Sequence, residues 1–246
     1  MAFAAAASPL RGSIMARTKT NPGRFFEDFE LGGTIEHGTP RTLTQGDRAL
    51  YTALYPSRFA LYSSDMFARA CGLVQSPIED LAAFHTVFGK SVPDVSLNAV
   101  ANLGYAEGRF LAPVFPGDTL AASSQVIGLR ETSKGDAGIV WVRTTGINQR
   151  GRPVLRFVRW VLVRKRDPQA AAREPQVPEL AAAVAPGDLS VPYSFHFRGY
   201  DPVAAGSPHV WGDYEIGERI DHVDGVTIEE SDHMTAARLW QNTSKV

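Results

Sequence analysis

SPIEDLAAFHTVFG, residues 76–89, opens with the clearest helix start in the chain. Ser76 offers a hydroxyl N-cap, Pro77 suits the first helical position because its missing N–H is not needed there, and Glu79 can reach back to the cap. The helix is expected to run to about Phe88 and to end at Gly89. Ile78, Leu81, Ala82, Phe84, Val87 and Phe88 cover much of its circumference, which predicts burial on more than one side. The texture then changes. Residues 97–105, 108–110, 119–130, 138–148 and 153–165 are rich in Val, Ile, Leu, Trp, Phe and Thr, the composition of strands. Ser133-Lys134-Gly135-Asp136 and Asn148-Gln149-Arg150-Gly151 read as turns between them. One largely buried helix followed by an antiparallel meander implies an α+β fold whose sheet curls around the helix.

Upstream, residues 34–42 read as an opening strand and 46–55 as a short helix, with Thr44 and Asp47 placed as a capping box. A second short helix, 64–71, should stop at Gly72. Downstream, five prolines between Pro168 and Pro192 and two alanine runs predict an extended linker along a surface.

A repeat organises the rest. DFELGGTIEHGTPRTLTQGD (28–47) returns as DYEIGERIDHVDGVTIEESD (213–232) at a constant offset of 185 positions. Asp28, Glu30, Gly32, Ile35, His37, Thr42 and Asp47 recur as Asp213, Glu215, Gly217, Ile220, His222, Thr227 and Asp232. A period of that length is the size of a small domain. The chain therefore divides into a disordered extension (1–20), a complete domain (21–167), a Pro/Ala-rich linker (168–210) and the start of a second domain (211–246). The last piece, expected to hold one strand and one helix, is too small to bury a core. It should lie against the first domain or be disordered.

Composition excludes several classes. A formal charge of -1 over 246 residues gives no bias toward nucleic acid or an anionic membrane. The lone Cys71 excludes an internal disulfide framework and a thiolate metal cluster, and is compatible with a reducing cytosol. No apolar run approaches the roughly 20 residues that span a bilayer. Residues 1–26 hold Arg11, Arg17, Lys19 and Arg24 but no acid, which leaves two readings open, a transit peptide or an extension upstream of Met15.

Among the histidines, His37 and His222 are repeat-equivalent and read as structural hydrogen-bonders. His85 lies inside the helix, either in the core or lining a pocket. His196, His209 and His233 read as surface. No pair has metal-ligand spacing, so no metal is expected. Arg156, Arg159, Arg164, Lys165 and Arg166 are the densest cations and read as a solvated outer strand face.

GRFLAPVFPGDTL (108–120) resembles the RF..PV.PGDTL stretch of MaoC-like dehydratases, whose fold is the hot-dog. NPGRFFEDFELG (21–32), LYTALYPSRFALYSS (50–64), FHTVFGKSVPDVSLNAVANLGYAEGRF (84–110), RFVRWVLVRKRDP (156–168) and DHVDGVTIEESDHMTAARLWQNTSKV (221–246) are together similar to the mesaconyl-CoA hydratase family, also called 2-methylfumaryl-CoA hydratases or beta-methylmalyl-CoA dehydratases. The resemblance covers residues 21–246. It implies one complete hot-dog repeat and the opening of a second that continues past Val246, reversible hydration of a branched dicarboxylic enoyl-CoA, an acyl-CoA substrate with no metal or redox cofactor, homo-oligomers formed by hot-dog pairing, and a cytoplasmic location. The five clustered cations then gain an alternative role toward the CoA phosphates.

Hydrating an alkene conjugated to a thioester needs a base for water, an acid for the alpha carbon, and donors for the enolate oxygen. In the R-specific enoyl-CoA hydratases of this superfamily an Asp and a His of a D-x-N-P-x-H motif hold the first two roles. On the first repeat the resemblance places the Asp, Asn and His positions on Ser57, Phe59 and Tyr62. None of these is an acid or base near neutral pH, so Ser57 and Tyr62, with His85, are candidates for pocket lining. The offset of 185 carries the Asp position to Asn242 and the Asn position to Ser244. The His position is then 247, one past Val246, and the chain by itself is expected to lack that proton-transfer group. Asn242 is the candidate catalytic position. A dehydratase or thioesterase of the same fold acting on another acyl thioester, and a non-catalytic scaffold, are the alternatives.

Overall fold

The computed structural model describes residues 20–189, 191–192, 194–223 and 225–244; the extension upstream lies outside them. A 3-10 turn, Phe26–Asp28, leads into β1 (Thr34–Thr42) and α1 (Gln45–Leu54). The capping box forms as the sequence predicts. Thr44 Oγ1 accepts from the Asp47 N–H at 3.2 Å while the Asp47 carboxylate accepts from the Thr44 N–H at 2.8 Å, satisfying two donors that a helix start leaves unpaired. Two short helices follow, α2 (Ala60–Ser63), which has no sequence signal, and α3 (Asp65–Ala70), capped by Ser64.

The central helix, α4 (Asp80–Ser91), starts four residues after the proposed cap. Residues 76–79 stay extended because they are held from elsewhere: the Ile78 N–H donates to the Val114 carbonyl at 2.7 Å and the Ser76 N–H to Asp65 Oδ1 at 3.0 Å. Nor does Gly89 end the helix, which continues to Ser91 and a π-turn, Val92–Ser96. Gly89 serves close packing instead, since a Cβ there would overlap the carbonyl oxygen of Trp240.

Four long strands follow: β2 (Ala99–Phe110), β3 (Thr119–Glu131), β4 (Ala137–Ile147) and β5 (Pro153–Arg164). The sheet is antiparallel in the order β1-β3-β4-β5-β2. Only β3-β4-β5 is a meander; β2 lies at the far edge beside β5. The two segments predicted at 97–105 and 108–110 are one strand, bulged between Ala106 and Arg109, where Glu107 takes φ +52. The sheet wraps α4, and Gly146 of β4 is where the helix seats, since a Cβ there would stand 2.5 Å from Val87 Cγ2. Val87, Tyr51, Ile78, Leu120, Leu155 and Phe157 make the core on that side; Phe26, Phe29, Val126, Val140 and Val161 fill the other end of the sheet. Burial of the helix is not complete all round: Leu81 is 51% exposed, and Phe84 and Phe88 are half-buried.

The linker runs along the surface, bridging Gln176 to Leu129 with paired 2.8 Å backbone bonds. It holds α5 (Pro202–Ala205), packed on α2. The repeat then reappears in space. The turn Trp211–Asp213 matches Phe26–Asp28, and α6 (Glu230–Leu239) matches α1, both at the offset of 185. Among the described residues no strand forms between them. Ile216, Ile220 and Val223 are exposed there; a single strand is stable only with a partner, which β1 has in β3. α6 packs on α1, placing Ala236, Leu239 and Trp240 in the core beside Tyr51. Arg41 reaches across to the Leu239 carbonyl.

Candidate functional site

The face of α4 left uncovered by the sheet looks into a groove. Leu81 and Phe84 of α4, Tyr105 and Phe110 of β2, Phe157 and Trp160 of β5, and linker residues 180–184 enclose about 680 Å³. The groove is walled mainly by apolar and aromatic side chains, with Glu107 and Arg109 also in its lining.

One turn further along α4 lies a smaller pocket of about 150 Å³, walled by Phe88, Val92, Ser96, Asn102, Arg159, Asn242 and Ser244. Arg159 corrects the reading of the clustered cations as a solvated face. Arg156, Arg164 and Arg166 are exposed, but Arg159 has 0% exposure and Lys165 is buried against Glu131 at 3.3 Å. The signal was available, since alternation along β5 puts Arg159 on the face shared by Leu155, Phe157, Val161 and Val163. Its Nη2 donates to Ser91 Oγ at 2.8 Å and its Nη1 to Ser96 Oγ at 3.3 Å. Its guanidinium carbon stands 4.6 Å from the centre of the Phe88 ring. Burial lowers its pKa to about 10, so it remains a cation at neutral pH.

The proposed site residues separate into three places. Asn242 is in the Arg159 pocket, where its Oδ1 accepts from the Ser244 N–H at 2.9 Å. Ser57 makes the same turn at the repeat-equivalent position, accepting from the Phe59 N–H at 3.4 Å. Ser57 and Tyr62 share a narrow cleft with Arg48, Tyr51 and Glu79. Tyr62 is hydrogen-bonded to Asp80; burial first, then the charges of Asp80 and Glu79, push its phenol above the ordinary range. Burial raises the Asp80 carboxyl as well. His85 lines neither cavity. It stacks on Trp240 at 5.3 Å and 25°, and burial lowers its pKa.

His37 is structural. Nδ1 stands 2.9 Å from Asp94 Oδ2 and Nε2 2.7 Å from Ser124 Oγ, with Thr144 next in the chain of bonds at 2.8 Å. Burial outweighs Asp94 and depresses its pKa. Its copy His222 is exposed, as are His196, His209 and His233. Because His37 and His85 both have folded-state pKa values below 6.5, the unfolded chain binds more protons below that pH. Stability is therefore complete above about pH 6.5 and falls as the pH drops toward the folded values. Urea midpoints at about pH 7.5 and 5.5 should show this loss, and His37→Gln should flatten it.

The family described as mesaconyl-CoA hydratase matches residues 9–190. The chain belongs to this family. Over 228 residues it is 67% identical to the mesaconyl-CoA hydratase of Cereibacter sphaeroides, an alignment covering 93% of this chain and 66% of that relative, so the chain spans just under two thirds of the relative's length. Among solved structures, a MaoC domain protein dehydratase from Chloroflexus aurantiacus superposes with a TM-score of 0.88 at 60% identity, covering 92% of this chain and 65% of that one. A Mycobacterium tuberculosis protein with a double hot-dog fold matches with a TM-score of 0.63 at 20% identity, covering 91% and 68%. The helix wrapped by an antiparallel sheet is thus the hot-dog fold, as members of the mesaconyl-CoA hydratase family are expected to have.

Proposed function

We propose that the chain forms part of a hydro-lyase that adds water to, and removes it from, a branched dicarboxylic enoyl-CoA, interconverting mesaconyl-CoA and beta-methylmalyl-CoA. The observation that carries this reading is the 67% identity, over 93% of the chain, to a relative named for the hydration. The groove supports it, because a long apolar trough with few polar groups suits an acyl-pantetheine arm. Hydration of a conjugated thioester is redox-neutral and needs only proton transfer and oxyanion donors, so the proposal includes no metal or redox cofactor. Asn242 holds the motif's Asp position, but an amide takes no proton near neutral pH. Its role is to position water or the acyl group from the pocket it shares with Arg159. Ser57 and Tyr62 serve as lining beside α4, where the raised phenol pKa keeps Tyr62 protonated, while His85 supports Trp240 from within the helix.

The test is product analysis on mesaconyl-CoA. Water addition consumes the conjugated alkene absorbance and leaves the thioester intact. Release of free thiol with the alkene retained would overturn the reading in favour of a thioesterase.

We place the protein in the cytoplasm, where its buried free Cys71 suits a reducing compartment. Among the described residues no helix is long and apolar enough to cross a membrane. We also propose self-association. Val100, Leu103, Tyr105 and Phe110 are 42%, 44%, 48% and 38% exposed along the edge strand β2, and an exposed apolar edge is a pairing surface. Analytical ultracentrifugation should show dimers or larger species; a strictly monomeric protein would refute this.

A further inference from the structure

Arg159 has a charge that nothing around it balances. Burying a guanidinium costs several kcal/mol unless a counter-charge compensates, and fully buried arginines are nearly always paired. Ser91, Ser96 and the ring of Phe88 engage its Nη atoms and its face without supplying negative charge. Its Nε has no partner. Among the described residues it forms no ion pair with a carboxylate, although Arg24, Arg41, Arg48, Arg109, Arg143 and Arg166 each do. The pocket of about 150 Å³ that Arg159 lines is also lined by the polar residues Ser96, Asn102 and Asn242. That is room for a carboxylate and a few carbons, not for a nucleotide.

We propose that Arg159 is a specificity residue whose pocket, shared with Asn102 and Asn242, receives the terminal carboxylate of a small dicarboxylic acyl thioester. This rests on the enoyl-CoA reading above and names what within the site selects the acid. The layout fits. Phe88 and Asn102 wall the pocket, while Phe84, one turn back on α4, and Tyr105, three residues on along β2, wall the groove. An acyl group anchored at Arg159 therefore leads its thioester arm toward the linker. In the branched substrate the carboxylate sits on the carbon that gains the hydroxyl, so the anchor also holds that carbon near Asn242. The planar fork of arginine matches a carboxylate with two parallel bonds, and Nε is the donor still without a partner.

The experiment compares mesaconyl-CoA with tiglyl-CoA, the same branched skeleton with a methyl in place of the terminal carboxylate, by calorimetry on the full chain and on Arg159→Met and Arg159→Lys. The unaltered chain should bind mesaconyl-CoA roughly 100-fold tighter than tiglyl-CoA, the scale of hydrogen bonds to a charged group. R159M should bring the ratio close to one while keeping its affinity for tiglyl-CoA, and R159K should retain part of the preference. A preference that survives R159M overturns the inference and leaves the hydratase reading standing. So does an equal loss of both thioesters, which would make Arg159 only a brace for Ser91 and Ser96. If the unaltered chain binds both thioesters alike, the dicarboxylic substrate itself is wrong and the inference falls with it. Should R159M fail to fold, a crystal structure of the unaltered chain with mesaconyl-CoA decides: the carboxylate lies about 3 Å from the guanidinium, or it lies elsewhere and the proposal is wrong.

Discussion

Gly89→Ala is expected to release the C-terminal helix from the domain. The added methyl would occupy the position of the Trp240 carbonyl oxygen, a backbone atom that cannot move aside without carrying Leu239, Trp240 and Asn242 with it. Leu239 and Trp240 are each 6% exposed against α1 and α4, and truncating buried side chains of this size forfeits about 2–5 kcal/mol each. Among the described residues α6 packs on α1 and on no strand of its own repeat. Hydrogen exchange should therefore show its amides losing protection while α4 and β3-β5 keep theirs, with the Trp240 emission shifted to the red. The Arg159 pocket would lose the wall that Asn242 and Ser244 provide, and mesaconyl-CoA affinity should fall in parallel. Unchanged protection of α6 in the variant would show that the segment is not seated on Gly89.

Phe157→Ala should cost about 3–5 kcal/mol of stability in urea unfolding, lowering the melting temperature by roughly 10 °C for a domain of this size. Phe157 is 2% exposed and belongs to both the core and the groove wall, with its ring 4.9 Å from Phe84 and 6.3 Å from Tyr105. Removing it leaves a cavity under α4 and takes a wall from the groove. Phe157→Leu keeps most of the volume and should recover more than half of the loss. A cost under about 1 kcal/mol for the alanine variant would mean that the sheet is not closed on the helix as described.

What the sequence revealed follows the reach of each interaction. The Thr44–Asp47 box involves residues three apart, and it was legible, as were the strands β3, β4 and β5 with their β-branched runs and turn residues. Ser76 looked like a cap because the pattern is local, yet Asp65 and Val114 claim the backbone on either side of Pro77, and neither is near in sequence. Gly89 looked like a stop because a glycine after a helix usually is one; its partner, Trp240, lies far along the chain. The repeat predicted a helix in the last segment, found as α6, but also a strand before it. A helix closes its own hydrogen bonds, while a strand depends on a neighbour. The site was legible only in part. Asn242 is reached through the repeat, but composition alone groups Arg159 with the exposed Arg156, Arg164 and Arg166, although the alternation of β5 sets it apart.

The most direct measurement of the account is the mass of the acyl thioester recovered after mesaconyl-CoA is incubated with the protein in oxygen-18 water. Addition across the alkene predicts an intact thioester heavier by one labelled water, with the label in the hydroxyl of beta-methylmalyl-CoA. Mesaconate released with its label in a carboxyl group and free CoA beside it would contradict the account.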